Sequence, residues 1–490
     1  MTRKIAVRKI GKILLWGTVM AAVVAAALKV IRTALPSRRG LASQDSLKCR
    51  RVVILGAGFG GIQVSEELAK LLPPKDDRDH AEDDPDQGDW EIVVVDRNNF
   101  LQFTPMLTEV AGGQLDPSDV VAAIRRLSPR IRFEQGRVDK VDLKSRTVTL
   151  TIGATEPGVP EESRTLEADH LVIALGSVTN FHDLPGVSEY SLTIKSLGDA
   201  AAIRNRALAL LERANAEPDG AKRRALLTVV VGGGGFSGVE TMAAVNDLVR
   251  DGIQRYPNLQ TEDVQSILIH PGERLLPELG ECLAASAKRE MEQRGVTVKL
   301  ETEISGAGDG FVRIKGQADI PTHLLIWAGG VSPSPVVTDL DCDHGHHGGV
   351  LVDGCCAVPH HPGVWALGDC AEIPQPDGKR TYAPTAQNAI REGAQVARNI
   401  AASLAGRKPE PFVFTPIGEL AIVGKRAGVA RVYGMEFSGL LAWAMWRAIY
   451  LIKMPSLRKQ VRVVLGWGWD TLFDREVSVL PTAQSGATKP

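Results

Sequence analysis

Cysteine is scarce in this sequence: there are six in 490 residues, and no pair has the Cys-x-x-Cys spacing. So few cysteines exclude the dense disulfide framework of a small secreted protein. A basic excess is also lacking, because 57 Lys and Arg residues are balanced by 58 Asp and Glu residues. We therefore expect no nucleic-acid partner. With 44% hydrophobic residues, the chain is typical of a globular protein, and its length suggests about three domains.

Acidic residues are absent from positions 1–44, and the sixteen residues 13–28 within that segment carry no charge at all. The side chains of Lys12 and Lys29 could reach outward and extend the apolar stretch to about 22 residues, which is enough to cross a bilayer. We predict an uncleaved transmembrane anchor over residues 1–44. A cleaved signal peptide and a mitochondrial presequence are the alternatives. Basic residues on both flanks leave the orientation open.

A strand, a glycine-rich loop and a helix follow one another twice in the chain. The first unit has a β-branched strand at 52–55 and a second strand at 91–95 that ends at Asp96; an acidic, solvated loop is predicted at 75–89 between them. The second unit has strands at 228–231 and 266–269. The glycines of the two loops are Gly56, Gly58 and Gly61, then Gly233, Gly235 and Gly238. This pattern predicts an α/β fold with two Rossmann-like dinucleotide-binding domains.

The residue that ends the second strand differs between the two units. In the first, we expect the carboxylate of Asp96 to accept hydrogen bonds from a ribose 2′-hydroxyl, with a surface turn residue as the alternative. In the second, His270 occupies that position and Arg274 follows four residues later. An acid there would repel the 2′-phosphate of NADPH. We still expect NADH to be favoured over NADPH. Because the acid is missing, we expect the discrimination between the two to be weaker.

Six segments carry a resemblance to a known family. They are VVILGAGFGG (52–61), DRNNFLQFTPMLTEVAGG (96–113), HLVIALGS (170–177), VVVGGGGFSGVE (229–240), VWALGDCAEIP (364–374) and APTAQNAIREG (383–393). Over roughly residues 50–475 the chain resembles the flavoproteins with two dinucleotide-binding domains. Within that superfamily it resembles the type II NADH dehydrogenases, which are non-electrogenic NADH:quinone oxidoreductases.

The resemblance implies FAD as the cofactor of the first unit and NADH as the substrate of the second. The residues implied at the FAD site are Gly56, Gly58, Gly61, Asp96, Thr104, Pro105, Gly368 and Asp369. Those implied at the NAD(P)H site are Gly233, Gly235, Gly238, Glu240 and His270. No acid–base catalyst is named by either set.

Ala386 and Gln387 match the family's quinone-site motif. The family commonly has a second glutamine four residues after the first, but this chain has Arg391 there. Only Ala386 and Gln387 are therefore carried over, and the type of quinone stays open. The alternative is that Gln387 merely begins a helix and Arg391 is solvated.

Relatives on this architecture that use a redox cysteine need a thiolate beside the flavin. Residues 96–114 contain no cysteine, which argues against a disulfide reductase or a cysteine peroxidase. Cysteines and histidines are concentrated in residues 342–361. Their spacing matches no zinc or iron ligand pattern, so we predict no metal there. A sulfide:quinone oxidoreductase stays a minor alternative because of Cys342, Cys355, Cys356 and Cys370.

The C-terminal segment 440–473 is apolar, rich in tryptophan and poor in acidic residues. Residues 440–452 are too few to cross a bilayer. An apolar face, interfacial tryptophans and positive charge predict an amphipathic helical region lying on an anionic lipid surface. A buried helical hairpin at a homodimer interface is the alternative, and both could hold together.

We therefore predict a flavoprotein that passes electrons from NADH through FAD to a membrane quinone. Proton pumping needs several spans with buried ionisable groups, and this chain has at most one. Two alternatives stay open: a reductase of a small iron–sulfur carrier, and a slow nucleotide-binding redox sensor. The expected location is the cytoplasmic face of a bacterial inner membrane, with the mitochondrial inner membrane as the alternative. The predicted domains are 1–44 (anchor), 45–195 with 340–412 (FAD), 196–339 (NAD(P)H) and 413–490 (membrane association).

Overall fold

The structure is a computed structural model, and it describes residues 50–72, 90–127, 130–153, 160–473 and 477–479. The predicted anchor at 1–44 and the predicted acidic loop at 75–89 lie outside the described residues.

The described chain contains both strands and helices, and several runs of strands follow one another without an α-helix between them. The strands are β1 Arg50–Leu55, β2 Trp90–Asp96, β3 Phe100–Gln102, β4 Val121–Ala123, β5 Ile131–Gln135, β6 Arg137–Asp142, β7 Thr147–Ile152, β8 Glu162–Glu167, β9 His170–Ile173, β10 Ser177–Thr179, β11 Ser191–Thr193, β12 Thr228–Gly232, β13 Gln265–Ile269, β14 Val296–Lys299, β15 Ile304–Gly308, β16 Phe311–Ile314, β17 Ile320–Pro321, β18 Leu324–Trp327, β19 Val331–Pro333, β20 Val350–Leu351, β21 Val364–Ala366, β22 Ala371–Glu372, β23 Gly418–Gly424, β24 Ala427–Val432 and β25 Met435–Ser438. The α-helices are α1 Phe59–Leu71, α2 Leu107–Ala111, α3 Val187–Tyr190, α4 Leu197–Ala216, α5 Gly220–Leu226, α6 Phe236–Gly252, α7 Glu281–Gln293, α8 Pro335–Thr338, α9 Ala386–Leu404, α10 Gly439–Lys453 and α11 Leu457–Leu472.

The first glycine loop follows the central strand of a parallel sheet. Its strand order is β21-β9-β1-β2-β5, and every pairing within it is parallel. Val52, Val53 and Ile54 are completely buried. Helix α1 and strands β6 and β8 pack against this sheet, and the strands of a covered parallel sheet are continuous apolar runs. Helix α9 packs on α1 so closely that a Cβ at Gly393 would lie 2.6 Å from the carbonyl oxygen of Gly60.

The second glycine loop also follows the central strand of a parallel sheet, with the order β11-β18-β12-β13-β14. The predicted α/β fold with two Rossmann-like units is therefore confirmed. Strand β11 pairs within this second sheet although it lies just before the predicted boundary at 195/196. The domain boundaries themselves stay predictions.

The C-terminal region is an antiparallel sheet, β23-β24-β25, followed by the hairpin of α10 and α11. One side of this hairpin joins the core of the second unit, since Trp446 and Trp467 are 1% and 3% exposed. The other side is apolar and open, and Leu440, Ile452 and Trp469 are each at least 60% exposed. Among the described residues, no helix combines the length and the apolar character needed to cross a bilayer.

Candidate active site

The first glycine loop has the geometry of a dinucleotide-binding turn. Gly56 has φ +103°, and a Cβ there would lie 2.2 Å from the carbonyl oxygen of Ala174. A Cβ at Gly61 would lie 1.9 Å from the carbonyl oxygen of Gly56, so the third glycine lets the helix approach the strand. Gly58 caps α1, and no atom lies within 4 Å of its missing Cβ. That open space beside a helix N-terminus suits a diphosphate.

Asp96 is tied directly to this loop. One carboxylate oxygen accepts the N–H of Ala57 at 2.8 Å, and the other accepts the N–H of Asn98 at 2.8 Å. Burial raises the pKa of Asp96, and the two backbone N–H groups oppose that rise. The structure thus brings the predicted acid to the predicted loop, with lone pairs left over on both oxygens.

The second loop repeats the first. Gly233 has φ +122°, and its Cβ would lie 2.2 Å from the carbonyl oxygen of Ala328. A Cβ at Gly238 would lie 1.9 Å from the oxygen of Gly233, and the space beside Gly235 is open within 4 Å. This loop therefore also leaves room for a diphosphate at the N-terminus of α6.

His270 lies against this second loop. Its Nδ1 accepts the N–H of Gly234 at 3.1 Å, so a neutral ring carries its proton on Nε2. Burial lowers the pKa of His270, and the charge of Glu278 opposes this. Arg274 lies nearby in sequence and is half-exposed, with its guanidinium 3.5 Å from Glu281. The neutral imidazole is thus the group that this site presents where an acid is usual.

Thr104 and Pro105 form a short 3-10 turn between the first unit and the C-terminal helices. The neighbouring ring of Phe103 contacts Phe59 of α1, with centroids 5.7 Å apart. On its other side it contacts Tyr450 of α10 at 6.2 Å. The segment that the resemblance places beside the flavin therefore packs between the first glycine loop and the C-terminal hairpin.

Gly368 and Asp369 lie at the end of β21, where φ of Gly368 is +73°. The N–H of Gly368 donates to the buried Glu392 at 2.8 Å, and burial raises the pKa of Glu392 to about 7. Asp369 accepts the hydroxyl proton of Ser177 at 2.6 Å. Sequence reasoning identified the Gly-Asp pair but missed Glu392 and Ser177.

Ala386 and Gln387 begin α9, where Thr385 caps the helix by accepting the N–H of Asn388. One turn later, the exposed guanidinium of Arg391 lies 5.3 Å from the centre of the Phe414 ring. Arg391 is therefore stacked on an aromatic ring as well as solvated. The quinone role of Gln387 stays a prediction.

Glu240 points away from the second loop toward the C-terminal region. Its carboxylate accepts the N–H of Ile422 at 3.0 Å and the indole N–H of Trp446 at 2.9 Å. Burial raises the pKa of Glu240 to about 8. The structure places this residue at the contact between α6 and α10, and its assignment to the NAD(P)H site stays a prediction.

Glu109 of α2 is a second acid, and it links the segment that follows Thr104 and Pro105 to the C-terminal hairpin. Its carboxylate accepts an N–H of the Arg447 guanidinium at 3.2 Å and the indole N–H of Trp467 at 2.7 Å. The guanidinium lies 4.4 Å from the ring centres of both Trp443 and Trp467. Sequence reasoning missed this cluster. The signal was a single arginine within an otherwise apolar helix.

The cysteines of the 342–370 region are free thiols. Burial raises the pKa of Cys370 to about 12 and that of Cys342 to about 11, which disfavours the reactive thiolate. Within the described residues, no group of three or more His, Cys, Asp or Glu side chains is placed to hold a metal ion.

Comparison with known families agrees with this geometry. Residues 50–393 match the pyridine nucleotide-disulphide oxidoreductase family, and residues 417–476 match the NDH2 C-terminal domain. The chain belongs to the pyridine nucleotide-disulphide oxidoreductase family. The predicted resemblance to type II NADH dehydrogenases is confirmed by the second match and by the relatives that follow.

Curated relatives cover most of the chain. A "Probable NADH dehydrogenase" of Dictyostelium discoideum is 26% identical over 87% of this chain and 91% of its own length. The "Type II NADH:quinone oxidoreductase NdhA" of Mycobacterium tuberculosis is 27% identical over 85% of this chain and 86% of its own length. Among solved structures, NDH2 from Plasmodium falciparum in complex with NADH matches with a TM-score of 0.77. It is 18% identical and covers 88% of this chain and 100% of its own.

Proposed function

We propose that this protein is a non-proton-pumping NADH:quinone oxidoreductase with FAD as its cofactor. The observation that carries the proposal is a continuous chain of ring contacts. It runs from Phe59, at the first glycine loop, through Phe103 and Tyr450 to Trp446, with centroid distances of 5.7, 6.2 and 4.6 Å. The site beside the first loop therefore adjoins the C-terminal hairpin, whose outer face is apolar.

Each of the two glycine loops would bind a different nucleotide. FAD would be held by Gly56, Gly58, Gly61, Asp96, Thr104, Pro105, Gly368 and Asp369. NADH would be held by Gly233, Gly235, Gly238 and His270, and the quinone would contact Ala386 and Gln387. When bound, FAD accepts the two electrons of a hydride and passes them on. The chain supplies position, because the N-termini of both helices favour the negative diphosphates.

A turnover assay tests this function. Purified protein should oxidise NADH when a short-chain quinone analogue is present, and the quinol should form in a 1:1 ratio to NADH consumed. Ferricyanide serves as a second, soluble acceptor. If the protein oxidised NADH with ferricyanide as acceptor but reduced none of the quinone analogues, the proposal would be contradicted. Reduction of a different electron carrier would then be favoured.

Membrane attachment is part of the proposal. The apolar run at 13–28 would act as an anchor, and the outer face of the hairpin would lie in the lipid surface. The supporting observation is that apolar side chains and the exposed Arg458 share this hairpin. The location would be the cytoplasmic face of a bacterial inner membrane, with the mitochondrial inner membrane as the alternative.

Paired substitutions test the lipid-facing surface. Leu441→Gln with Ile452→Gln removes two apolar side chains that are 57% and 77% exposed. Full burial of such a side chain is worth about 1.5–3 kcal/mol, so co-sedimentation with anionic vesicles should weaken at least about tenfold. The matched control is Leu71→Gln with Leu351→Gln, two exposed positions outside the hairpin. Equal vesicle binding by the two double variants would contradict the surface. NADH oxidation with ferricyanide should be the same in both.

A further inference from the structure

Lys195 is linked to Asp369 through Ser177, although sequence reasoning assigned no role to either Lys195 or Ser177. The ammonium of Lys195 donates to the hydroxyl of Ser177 at 2.7 Å. The Ser177 hydroxyl donates to Asp369 Oδ2 at 2.6 Å, and the Lys195 ammonium lies 3.5 Å from the same oxygen. Two side chains thus converge on one carboxylate oxygen of Asp369, which lies in a distant part of the chain.

The backbone of Lys195 is held on both sides. Its N–H donates to the Asp199 carboxylate at 3.1 Å, which also completes the capping box of α4 with Ser196. Its carbonyl accepts the side-chain N–H of Gln102 at 3.0 Å, and Gln102 directly precedes the Phe103–Pro105 segment. Two independent contacts therefore hold the backbone from which the Lys195 side chain reaches Asp369.

The hydrogen-bonding capacity of this group is only partly used. Asp369 Oδ2 is engaged by both Ser177 and Lys195, while Oδ1 has no partner among the described residues. An ammonium has three donors, and Lys195 uses two of them in the part of the chain that the structure describes. One acceptor and one donor stay open side by side. A hydroxyl group donates one hydrogen bond and accepts others, so it matches that pair.

We infer that Lys195 is a positioning residue of the FAD site. Through Ser177 it fixes the Asp369 carboxylate so that Oδ1 faces a hydroxyl of the cofactor's sugar-alcohol arm, and its remaining N–H supports the same arm. This inference rests on the proposed function only in taking FAD as the occupant of the first unit. The plainer account is a partly exposed ion pair, which contributes little to either stability or binding.

The experiment measures the dissociation constant of FAD for the full-length holoenzyme by flavin fluorescence on serial dilution. Lys195→Met keeps the aliphatic stem and removes the charge. A charge-assisted hydrogen bond and the loss of Asp369 orientation together should weaken FAD binding about 10- to 100-fold. The matched control is Lys288→Met, whose ammonium is similarly exposed and pairs with Glu292 on the surface of α7. Its FAD dissociation constant should equal that of the wild type.

Two further variants separate positioning from general structure. If Lys195 acts through Asp369, the double variant Lys195→Met with Asp369→Asn should bind FAD no more weakly than Asp369→Asn alone. Lys195→Arg should recover part of the affinity, because the positive charge returns. At equal FAD concentrations, Lys195→Met should unfold at a lower temperature than Lys288→Met only by the amount that its weaker FAD binding accounts for.

Three results would overturn the inference. They are FAD binding by Lys195→Met within twofold of the wild type, fully additive losses in the double variant, and an unfolding temperature of Lys195→Met lower than its weaker FAD binding accounts for. The proposed function is judged separately, since it depends on quinone turnover by the wild type. A wild type that binds FAD but reduces no quinone would end the proposed function and leave the role of Lys195 intact.

Discussion

At the first glycine loop Asp96 accepts the N–H of Ala57, and at the second His270 accepts the N–H of Gly234. The two loops otherwise coincide: the first glycine of each has a positive φ, and the third glycine of each touches the oxygen of the first. The same backbone donor is therefore satisfied by a carboxylate in one unit and by an imidazole in the other.

The difference shows that two tasks of this position can be separated. A carboxylate that holds the loop still has lone pairs for a ribose hydroxyl, whereas a neutral imidazole that accepts at Nδ1 offers only a donor at Nε2. His270 thus still holds the loop by accepting a backbone N–H, but it presents a hydrogen-bond donor to the ligand instead of an acceptor. The ring also needs room, because a Cβ at Gly234 would lie 2.6 Å from its Cγ. That extra glycine accompanies the histidine.

The largest effect is expected from the first glycine of each loop. Gly56→Ala and Gly233→Ala each force a Cβ against a backbone oxygen at a positive φ, which should cost about 3 kcal/mol or more. Gly56→Ala should lose FAD. Gly233→Ala should keep FAD but show little flavin bleaching with NADH. Flavin absorbance before and after NADH addition measures both, and normal bleaching of Gly233→Ala would contradict the assignment of the second loop.

A smaller and more selective effect is expected from the middle glycines. The space beside Gly58 and Gly235 is open, and both have ordinary negative φ values. A variant with valine at either position should therefore fold, but the valine side chain should block the approach of the diphosphate. Gly58→Val should purify without FAD, and Gly235→Val should raise the KM for NADH by at least about tenfold. Recovery of Gly58→Val with a full complement of FAD would overturn the first assignment.

An acid at position 270 should make the second unit resemble the first. The wild type is expected to prefer NADH over NADPH by about tenfold or more. His270→Asp should widen that preference by roughly a further tenfold, because a carboxylate repels the 2′-phosphate. The ratio of kcat/KM for the two substrates measures it, and His346→Asp on an exposed loop is the control. A wild type that prefers NADPH would refute the substrate assignment.

The smallest effect is expected from pH. Burial holds the pKa of His270 below its ordinary value, and Glu278 only partly offsets this. The ring is therefore neutral at pH 7. It becomes charged only when the pH falls below the ordinary pKa of histidine. Use of NADPH relative to NADH should stay flat from pH 7 to 9 and rise a few-fold in acid. Dividing by the same ratio for His270→Gln removes the titration of the phosphate itself. A rise between pH 7 and 9 would disprove the mechanism.

Sequence patterns predicted the parts of the fold that depend on neighbouring residues. The strand predicted at 52–55 lies within Arg50–Leu55, and the one at 266–269 lies within Gln265–Ile269. Local spacing is enough here, because a buried β-branched run followed by glycines can be satisfied by few backbone shapes.

Contacts between distant side chains could not be read in the same way. Glu109 and Arg447 are 338 residues apart, and nothing in the periodicity of either helix indicates which acid meets which base. Asp369 was identified from its motif, but its contacts with Lys195 and Ser177 were missed for the same reason. Their convergence depends on how the two units and their connecting segment pack, which is a property of the assembled chain.

The buried acid Glu109 and the partly buried acid Glu240 have a consequence for the order of synthesis. Both are made in the first half of the chain, but their partners Arg447, Trp446 and Trp467 are made within its last fifty residues. A carboxylate buried without its partners is costly. We therefore expect the nascent chain to stay incompletely folded on the ribosome until the hairpin emerges, so that the core and the proposed lipid-facing surface are completed in the same step.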